Sequence, residues 1–272
     1  MAAFWENKVV FITGASSGIG EGLALALGRA GAAVGLIARR EDLLRDLAHR
    51  IEAESSRAAV AVADVSNREQ IEAAIASLEQ QLGPPDVLVA NAGVSIFIKG
   101  HRFDTTKVET VFKVNLLGAV YSIGAVLPGM VERGQGHIVG VSSIAGFRGL
   151  PSMGPYSASK AALSALLEAL RMDLTPRGIV VSSVHPGFVD TPLVEGRKLP
   201  FLVPLDRAVV TILNGVERGK RRIEFPWPMV LVMQLVRLLP WRLWEWLGSQ
   251  FNRRMSSGKP KTQVDTPPAP PA

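Results

Sequence analysis

The sequence predicts an α/β fold: a doubly wound parallel sheet with helices on both faces, as a single domain followed by a helical C-terminal extension. Short apolar runs rich in Val, Ile and Ala alternate with longer stretches that carry apolar residues at helical spacing. The first apolar run passes through a glycine-rich turn directly into a helix. Repeated alternation of this kind favours parallel strands joined by right-handed crossovers. A chain of 272 residues suffices for one large domain of this class.

The strands are predicted from continuous apolar runs, which are typical of strands buried on both faces. They are expected at 8–14, 33–39, 58–65, 86–93, 136–143, 179–187 and, last, near 221–227. Helices are expected after the first two strands and at about 70–82, 105–130 and 155–175. We therefore assign residues 1–224 to a Rossmann-type catalytic domain, 225–255 to the extension and 256–272, which are rich in proline, to a disordered tail.

Composition and charge exclude several classes of function. The chain has no cysteine, so it can form neither disulfides nor thiolate metal sites nor a thiol nucleophile. No metal site is expected. Residues 1–217 hold 20 Lys/Arg and 21 Asp/Glu, whereas residues 218–262 hold 10 Lys/Arg and 2 Glu. Because the positive charge is confined to the C-terminal region, we expect no nucleic-acid partner.

The extension contains four of the five tryptophans, in FPWPMVLVMQLVRLLPWRLWEW from 225 to 246. Its longest uncharged run has 12 residues, too short for a spanning helix of about 20. We predict a short helix over 229–239, ended by Pro240, and an amphipathic helix over 241–254. Contact with a membrane surface, a wall of the substrate pocket and an oligomer interface remain open. No signal peptide opens the chain, so a cytoplasmic protein is expected, with peripheral membrane contact as an alternative.

The glycine-rich turn TGASSGIG follows the first strand and opens the next helix. Gly14 would allow a tight turn, while Gly18 and Gly20 would allow close approach of a pyrophosphate to the helix N-terminus. This placement favours a dinucleotide site, although strand–helix turns also use glycine for structure alone.

Two arginines follow the second strand, at the position where nucleotide-binding folds distinguish NAD from NADP. An acidic residue there would bind the ribose of NAD, whereas Arg39 and Arg40 suit the 2′-phosphate of NADP. The alternative is that both arginines belong to the solvated start of a helix. Asp64, after the third strand, could accept a hydrogen bond from adenine or cap the helix near Asn67.

Tyr156 and Lys160 lie four residues apart at a helix start, so both side chains project from one face. A neighbouring ammonium would bring the pKa of the Tyr156 phenol down from about 10 towards the working range of an acid–base catalyst. Ser143, at the end of the fifth strand, would face the same crevice and could hydrogen-bond a substrate oxygen. Taken alone, Y-x-x-x-K is usually a solvated helix face.

Together these motifs resemble the short-chain dehydrogenase/reductase family over about residues 5–192. The resemblance rests on TGASSGIG, ADV, NAG, Asn115 in KVNLLGA, Ser143, YSASK and HPGFVDT, all in the order of the family. Ala90 departs from the family, which often has a second asparagine at this position.

The resemblance implies a role for each matching residue. Tyr156 would be the general acid of reduction, Lys160 would lower its pKa and bind the nicotinamide ribose, Ser143 would orient the carbonyl, and Asn115 would help to hold a relay water. The implied cofactor-binding positions are Gly14, Ser16, Ser17, Gly18, Ile19, Gly20, Arg39, Arg40, Asp64, Val65, Asn91, Ala92, Gly93, Tyr156, Lys160, Pro186, Gly187, Val189 and Thr191. Ser143 and Tyr156 would also contact the substrate. His185 is interpreted as a packing residue at a strand end.

The segment after HPGFVDT covers the substrate in this family, and here it offers Leu193, Leu199, Phe201, Leu202 and Val203. An apolar lining favours an apolar ketone, aldehyde or secondary alcohol, although these residues could simply complete the core. We therefore expect an NADP(H)-dependent oxidoreductase that forms a homo-dimer or tetramer. The alternatives are an NAD-dependent alcohol dehydrogenase, which the arginines disfavour, and a non-catalytic NADP-binding scaffold, which the four intact catalytic candidates disfavour.

Overall fold

The fold is described from a computed structural model that covers residues 2–196 and 199–257. Seven strands lie within these residues: β1 (Val9–Thr13), β2 (Ala33–Ala38), β3 (Ala58–Val62), β4 (Val87–Ala90), β5 (Gly136–Val141), β6 (Ile179–Pro186) and β7 (Arg222–Phe225). The first five helices are α1 (Ala2–Trp5), α2 (Gly18–Arg29), α3 (Glu41–Glu52), α4 (Arg68–Leu82) and α5 (Thr105–Phe112). The others are α6 (Gly118–Arg133), α7 (Gly154–Leu174), α8 (Leu205–Glu217), α9 (Trp227–Leu238) and α10 (Trp241–Ser257).

All seven strands pair in parallel in the order β3-β2-β1-β4-β5-β6-β7, which confirms the predicted doubly wound sheet. The chain runs outward from β1 through β2 to β3 and then crosses back to β4 on the other side of β1. The change of direction between β1 and β4 opens a crevice at the carboxyl ends of these strands. Ligands bind at this point in folds of this type.

The core consists of two apolar layers, one on each face of the sheet. One face packs against α2, α3 and α8, where Leu23, Leu44 and Ile212 are almost fully buried. The other packs against α4, α6 and α7, where Leu78, Met130 and Leu167 are almost fully buried. Strands between two apolar layers need apolar side chains on both faces, which explains why their sequences do not alternate.

The predicted helix over 105–130 is divided into α5 and α6 by a π-helical turn over Lys113–Leu117. A π turn inserts one extra residue into a helix and is often found at functional sites. Asn115 lies inside this turn and is 1% exposed. By length and apolar composition, residues 105–133 form the one helical stretch among the described residues that could cross a membrane. Because Val111, Ala119 and Met130 are buried in the molecule, we interpret it as a core helix.

The chain divides into two compact units, and the boundary between them lies after Arg237. The first unit contains the whole sheet and residues 227–237 of α9, so the sheet and most of the predicted helix over 229–239 belong together. Within the second unit, α10 begins after Pro240, whose carbonyl oxygen accepts hydrogen bonds from the amides of Leu243 and Trp244, each 3.1 Å long. Both predicted helices of the extension are present. Apart from Ser256 and Ser257, which end α10, the predicted disordered tail lies outside the described residues.

Candidate active site

The glycine-rich loop between β1 and α2 forms a backbone cradle at the crevice. Gly14 and Gly18 adopt φ angles of 66° and 61°, which favour glycine. A Cβ at Gly14 would lie 2.8 Å from the Cα of Ala92, and a Cβ at Gly20 would collide with the carbonyl oxygen of Gly14. Close packing therefore requires glycine at both positions, and the backbone amides at the start of α2 could bind a phosphate group. These residues fit the pyrophosphate of a dinucleotide.

The ANAG segment after β4 is tied to the glycine loop by side-chain hydrogen bonds. The side-chain nitrogen Nδ2 of Asn91 donates to the backbone carbonyl oxygens of Thr13 (3.0 Å) and Gly14 (3.2 Å). In return, Thr13 Oγ1 accepts from the backbone amides of Asn91 (3.1 Å) and Ala92 (3.2 Å). Thr13 was not among the predicted site residues. Its position as the last residue of β1 is the signal that could have identified it.

Arg40 and Arg39 lie at the carboxyl end of β2, beside the glycine loop. Arg40 Nη2 donates to the hydroxyl oxygens of Ser16 (2.9 Å) and Ser17 (2.8 Å). Arg39 is largely exposed and forms an ion pair of 3.6 Å with Asp64. The structure therefore brings the predicted cations and hydroxyls together, where they could surround a phosphate on the ribose.

Asp64 does not cap α4, because Asn67 does so: its side-chain oxygen accepts from the Gln70 amide over 3.0 Å. Asp64 Oδ1 instead accepts from the amide and the hydroxyl of Ser66, at 2.9 and 2.8 Å. The capping alternative is thus excluded, and Asp64 instead contacts Ser66 and Arg39. Val65 is 6% exposed and packs against Gly118, which places its side chain in the interior.

Tyr156, Lys160 and Ser143 come together at the carboxyl end of β5. Tyr156 and Lys160 lie on the first turns of α7, where Pro155 is accommodated because the first helical amides have no intrahelical acceptor. The Lys160 amino group donates to the carbonyl oxygen of Val141 over 2.8 Å and lies 5.9 Å from the centre of the Tyr156 ring. Ser143 is held by the Ala145 amide, which donates to its Oγ over 3.1 Å.

Burial controls the proton affinity of this group. Desolvation raises the pKa of Tyr156 above its ordinary value of 10.0, while a hydrogen bond from the Ser143 side chain acts in the opposite direction. Desolvation also lowers the pKa of Lys160 from 10.5 to about 8. In the protein alone the pKa of Tyr156 thus moves opposite to the predicted lowering, and Lys160 is not among the causes of the shift. Both groups carry strongly perturbed pKa values in one crevice, as is common at catalytic sites.

Asn115 and Lys160 meet at Gly93. A Cβ at Gly93 would lie 3.3 Å from the Lys160 amino nitrogen and 3.4 Å from Asn115 Oδ1. Asn115 Oδ1 accepts from the Val94 amide (2.7 Å), and its Nδ2 donates to the Val94 carbonyl (3.0 Å) and to Ser159 Oγ (3.1 Å). The Asn115 side chain thus clamps the segment after β4 to α7. Ser159 was missed from the sequence, because a serine next to a lysine carries no signal of its own.

The segment after β6 lies across the mouth of the crevice. The Gly187 amide donates to the Phe225 carbonyl over 2.7 Å, which continues the pairing of β6 with β7. Thr191 packs against Gly18 of the glycine loop, at 3.3 Å from a Cβ placed there. Val189 is 4% exposed. The structure therefore joins this segment to the glycine-rich loop.

His185 is buried on β6 beside Phe147, with 5.3 Å between the ring centres. Burial, together with the nearby Arg222, lowers the pKa of His185 from 6.5 to about 4. Its Nδ1 has no hydrogen-bond partner among the described residues. A neutral, packed histidine fits the prediction of a packing residue.

The apolar residues predicted to line the substrate pocket differ in exposure. Leu193, Phe201 and Leu202 are 48%, 53% and 40% exposed, whereas Leu199 and Val203 are half-buried. A separate open cavity of about 750 Å³ lies along the segment between β4 and α5, with Phe97, Lys99 and Phe103 in its lining. The Ile98 amide of this segment donates to the Ser152 carbonyl, just before α7. These residues were not predicted, because they match no motif.

The chain is similar to known proteins in both sequence and structure. Residues 8–199 match the family model described as short chain dehydrogenase. An uncharacterized oxidoreductase of Myxococcus xanthus is 39% identical over 235 residues, which cover 86% of this chain and 93% of that protein. The glycine betaine reductase ATRR of Emericella nidulans is 41% identical over 188 residues, which cover 69% of this chain and 15% of that protein.

Among solved structures, the chain is similar to an alcohol dehydrogenase from the archaeon Thermococcus sibiricus, complexed with 5-hydroxy-NADP. The TM-score is 0.72 at 29% identity, and the match covers 80% of this chain and 94% of the other. The fold of this chain thus has a parallel among solved structures.

Proposed function

The chain belongs to the short chain dehydrogenase family, and from this we propose that it is an NADP(H)-dependent oxidoreductase acting on an apolar carbonyl compound or secondary alcohol. The observation that carries the proposal is the buried group of Ser143, Tyr156 and Lys160 beside the glycine cradle. Tyr156 is 9% exposed and Lys160 is 3% exposed, and burial of an ionisable group is costly in free energy. They are suited to move a proton at a substrate oxygen.

Ser143, Tyr156 and Lys160 each have a separate role in the proposed reduction. When bound, the nicotinamide cofactor supplies the hydride for the carbonyl carbon. Ser143 donates a hydrogen bond that orients the carbonyl oxygen, and Tyr156 releases its phenolic proton to that oxygen. Lys160, with a pKa of about 8, is charged at neutral pH and stabilises the phenolate that remains. Oxidation of an alcohol uses the same groups in reverse.

Proton return to Tyr156 is assigned to the region where Asn115 and Lys160 meet at Gly93. The Asn115 side chain is occupied by Val94 and Ser159, so it fixes the geometry of the relay and does not itself carry the proton. The π turn that contains Asn115 disturbs the regular helical bonding and so provides backbone groups for a water.

Preference for NADP is supported by Arg39 and Arg40 at the end of β2. Arg40 already binds the hydroxyls of Ser16 and Ser17, where a 2′-phosphate would join the same hydrogen-bond network. Arg39 would exchange its ion pair with Asp64 for the phosphate. The solved alcohol dehydrogenase is complexed with an NADP derivative, which supports the same preference.

The substrate class is inferred from the segment after β6. Leu193, Phe201 and Leu202 are exposed at the position where a lid would close, and an apolar lid favours an apolar substrate. We further propose that the protein assembles as a homo-dimer or tetramer. We also propose that it lies in the cytoplasm.

The test is a panel of carbonyl substrates, from short polar aldehydes to long-chain and polycyclic ketones, with oxidation of NADPH or NADH recorded by absorbance. We expect turnover with NADPH and the highest kcat/KM for apolar ketones. Arg39→Asp and Arg40→Asp should each shift the ratio of kcat/KM for NADPH over NADH towards NADH by about tenfold or more, because a charge-assisted phosphate contact is replaced by repulsion.

The matched control is Arg45→Asp on α3, whose guanidinium pairs with Glu41 on the same exposed helix. It makes the same charge change away from the ribose site and should leave the cofactor ratio unaltered. An unchanged ratio in both Arg39 and Arg40 variants would overturn the NADP assignment. Equal turnover of polar aldehydes and apolar ketones would overturn the substrate class.

A further inference from the structure

Helix α9 has one face on the body of the molecule and an opposite face in solvent. On the inner face, Met233 is 8% exposed and the Met229 sulfur lies 2.8 Å from a Cβ placed on Gly187. Near the end of the helix, the Arg237 carbonyl accepts from Arg148 over 2.8 Å. The helix is therefore fixed over the segments that follow β5 and β6. These are the segments beside Ser143 and the proposed nicotinamide end.

The outer face of α9 carries apolar side chains where polar ones are expected. Trp227, Leu231 and Leu235 are 75%, 52% and 56% exposed and follow one another at a spacing of four residues, which places them in one row. Val232 beside them is 50% exposed. Single exposed leucines are ordinary on protein surfaces, but a continuous row headed by a tryptophan marks a surface that binds something apolar.

We propose that the outer face of α9, defined by Trp227, Leu231 and Leu235, docks the protein on the surface of an anionic phospholipid bilayer. Trp at one end of a leucine row, with Arg nearby, is the composition of helices that lie in the interface between lipid and water. With 12 residues, α9 is too short to cross a bilayer, which needs about 20. It would lie in the plane of the surface, with its inner face on the protein.

Charge decides between lipid and a second copy of the chain as the occupant. Residues 218–237, which lie in the same compact unit as Trp227, Leu231 and Leu235, contain five Lys/Arg and one acidic residue, Glu224. A second copy would bring the same excess positive charge to the contact, and like charges would repel. Anionic headgroups would instead complement this charge, and each basic residue near such a surface adds to the attraction.

Docking through this face has a consequence for the proposed enzyme. The inner face of the same helix covers Gly187 and, at Arg237, contacts the loop after Ser143. A bilayer on the outer face would bring the crevice close to lipid, from which an apolar substrate could enter. This consequence rests on the proposed function, whereas lipid binding itself does not depend on any activity.

The experiment is co-sedimentation of the full chain with phosphatidylcholine vesicles, with and without phosphatidylglycerol. We expect the protein to sediment with the anionic vesicles and to be released by high salt. The variant with Trp227→Ser, Leu231→Ser and Leu235→Ser should bind at least about tenfold more weakly, because three apolar side chains no longer leave water. The control Met172→Ser with Val210→Ser removes exposed apolar side chains from α7 and α8 and should bind like the parent.

A second measurement needs no destabilising change and uses the absence of cysteine. Leu235→Cys and, as control, Met172→Cys are each labelled with an environment-sensitive fluorophore. Anionic vesicles should shift the emission of the label at 235 to the blue and leave the label at 172 unchanged. The proposal is overturned if the parent stays in solution with anionic vesicles, if the triple serine variant binds as well as the parent, or if the label at 235 responds to protein concentration without vesicles.

Discussion

At the residue scale, the proposed chemistry depends on two ionisable groups kept out of water. Tyr156 is 9% exposed and Lys160 is 3% exposed. Burial disfavours the charged form of each, so the pKa of Tyr156 rises while that of Lys160 falls to about 8. Burial therefore moves the two pKa values apart, to above 10.0 for Tyr156 and to about 8 for Lys160. The Ser143 hydrogen bond is the contact that favours the phenolate.

The Tyr156→Phe variant tests the role of the phenol. It removes one oxygen and keeps the ring in place, so we expect cofactor affinity to be retained and turnover to fall by about a hundredfold or more, as general acid catalysis contributes. Steady-state kinetics and cofactor titration by fluorescence measure the two quantities. The chain contains two tyrosines, and Tyr121→Phe on α6 is the matched control that should keep its turnover. Full turnover in Tyr156→Phe would show that another group is the acid.

At the scale of elements, the glycine loop and α2 illustrate how close packing creates a binding surface. Gly20 lies on the first turn of α2, and a methyl group there would collide with the Gly14 carbonyl and approach the Asn91 amide to 2.6 Å. The same loop is tied to the strand end by Thr13 and Asn91. An added methyl group therefore has no space without a shift of α2 or of the ANAG segment.

We predict that Gly20→Ala lowers the free energy of unfolding by about 1–3 kcal/mol, the usual cost of overpacking, and weakens cofactor binding. Denaturant unfolding and cofactor titration measure these effects. Gly124→Ala on α6 is the matched control, because nothing lies within 4 Å of its added Cβ. It should raise the free energy of unfolding by about 0.5–1 kcal/mol through helix propensity. If the two variants had the same free energy of unfolding and the same cofactor affinity, Gly20 would not be required for the close packing of the glycine-rich loop.

At the scale of the whole molecule, two buried histidines link unfolding of the sheet to pH. His137 on β5 and His185 on β6 have their pKa values lowered by burial from 6.5 to about 4. In the unfolded chain both would take up a proton near pH 6.5, whereas in the folded protein they stay neutral until about pH 4. The stability that they contribute is therefore present above pH 6.5 and is lost as the pH falls from 6.5 to 4.

We expect the free energy of unfolding to decrease over this interval by up to about 3 kcal/mol for each histidine. Urea unfolding at pH 7 and pH 4.5 measures the decrease. In His137→Gln and His185→Asn the difference between the two pH values should be smaller than in the parent, whatever the absolute stability. His49→Gln on the exposed face of α3 serves as control and should keep the parent's difference. A parent whose stability does not change between these pH values would refute the linkage.

The parallel sheet and the buried character of its strands were predictable from the sequence. Continuous apolar runs and a strand-to-helix glycine turn are local features, and parallel connection rules then constrain the topology. The predicted strands and the placement of Tyr156 and Lys160 on the first turns of α7 agree with the structure. Which nicotinamide cofactor and which substrate are used stay predictions.

Tertiary structure alone decided the features that depend on contacts between distant segments. The clamp of Thr13 on Asn91 joins segments that lie far apart in the chain, and the π turn at Asn115 follows from a displaced hydrogen bond. The sequence likewise shows α9 only as an apolar run. Its division into a buried face on Gly187 and a solvent face headed by Trp227 exists because the sheet positions the helix, and burial is a property of the folded surroundings.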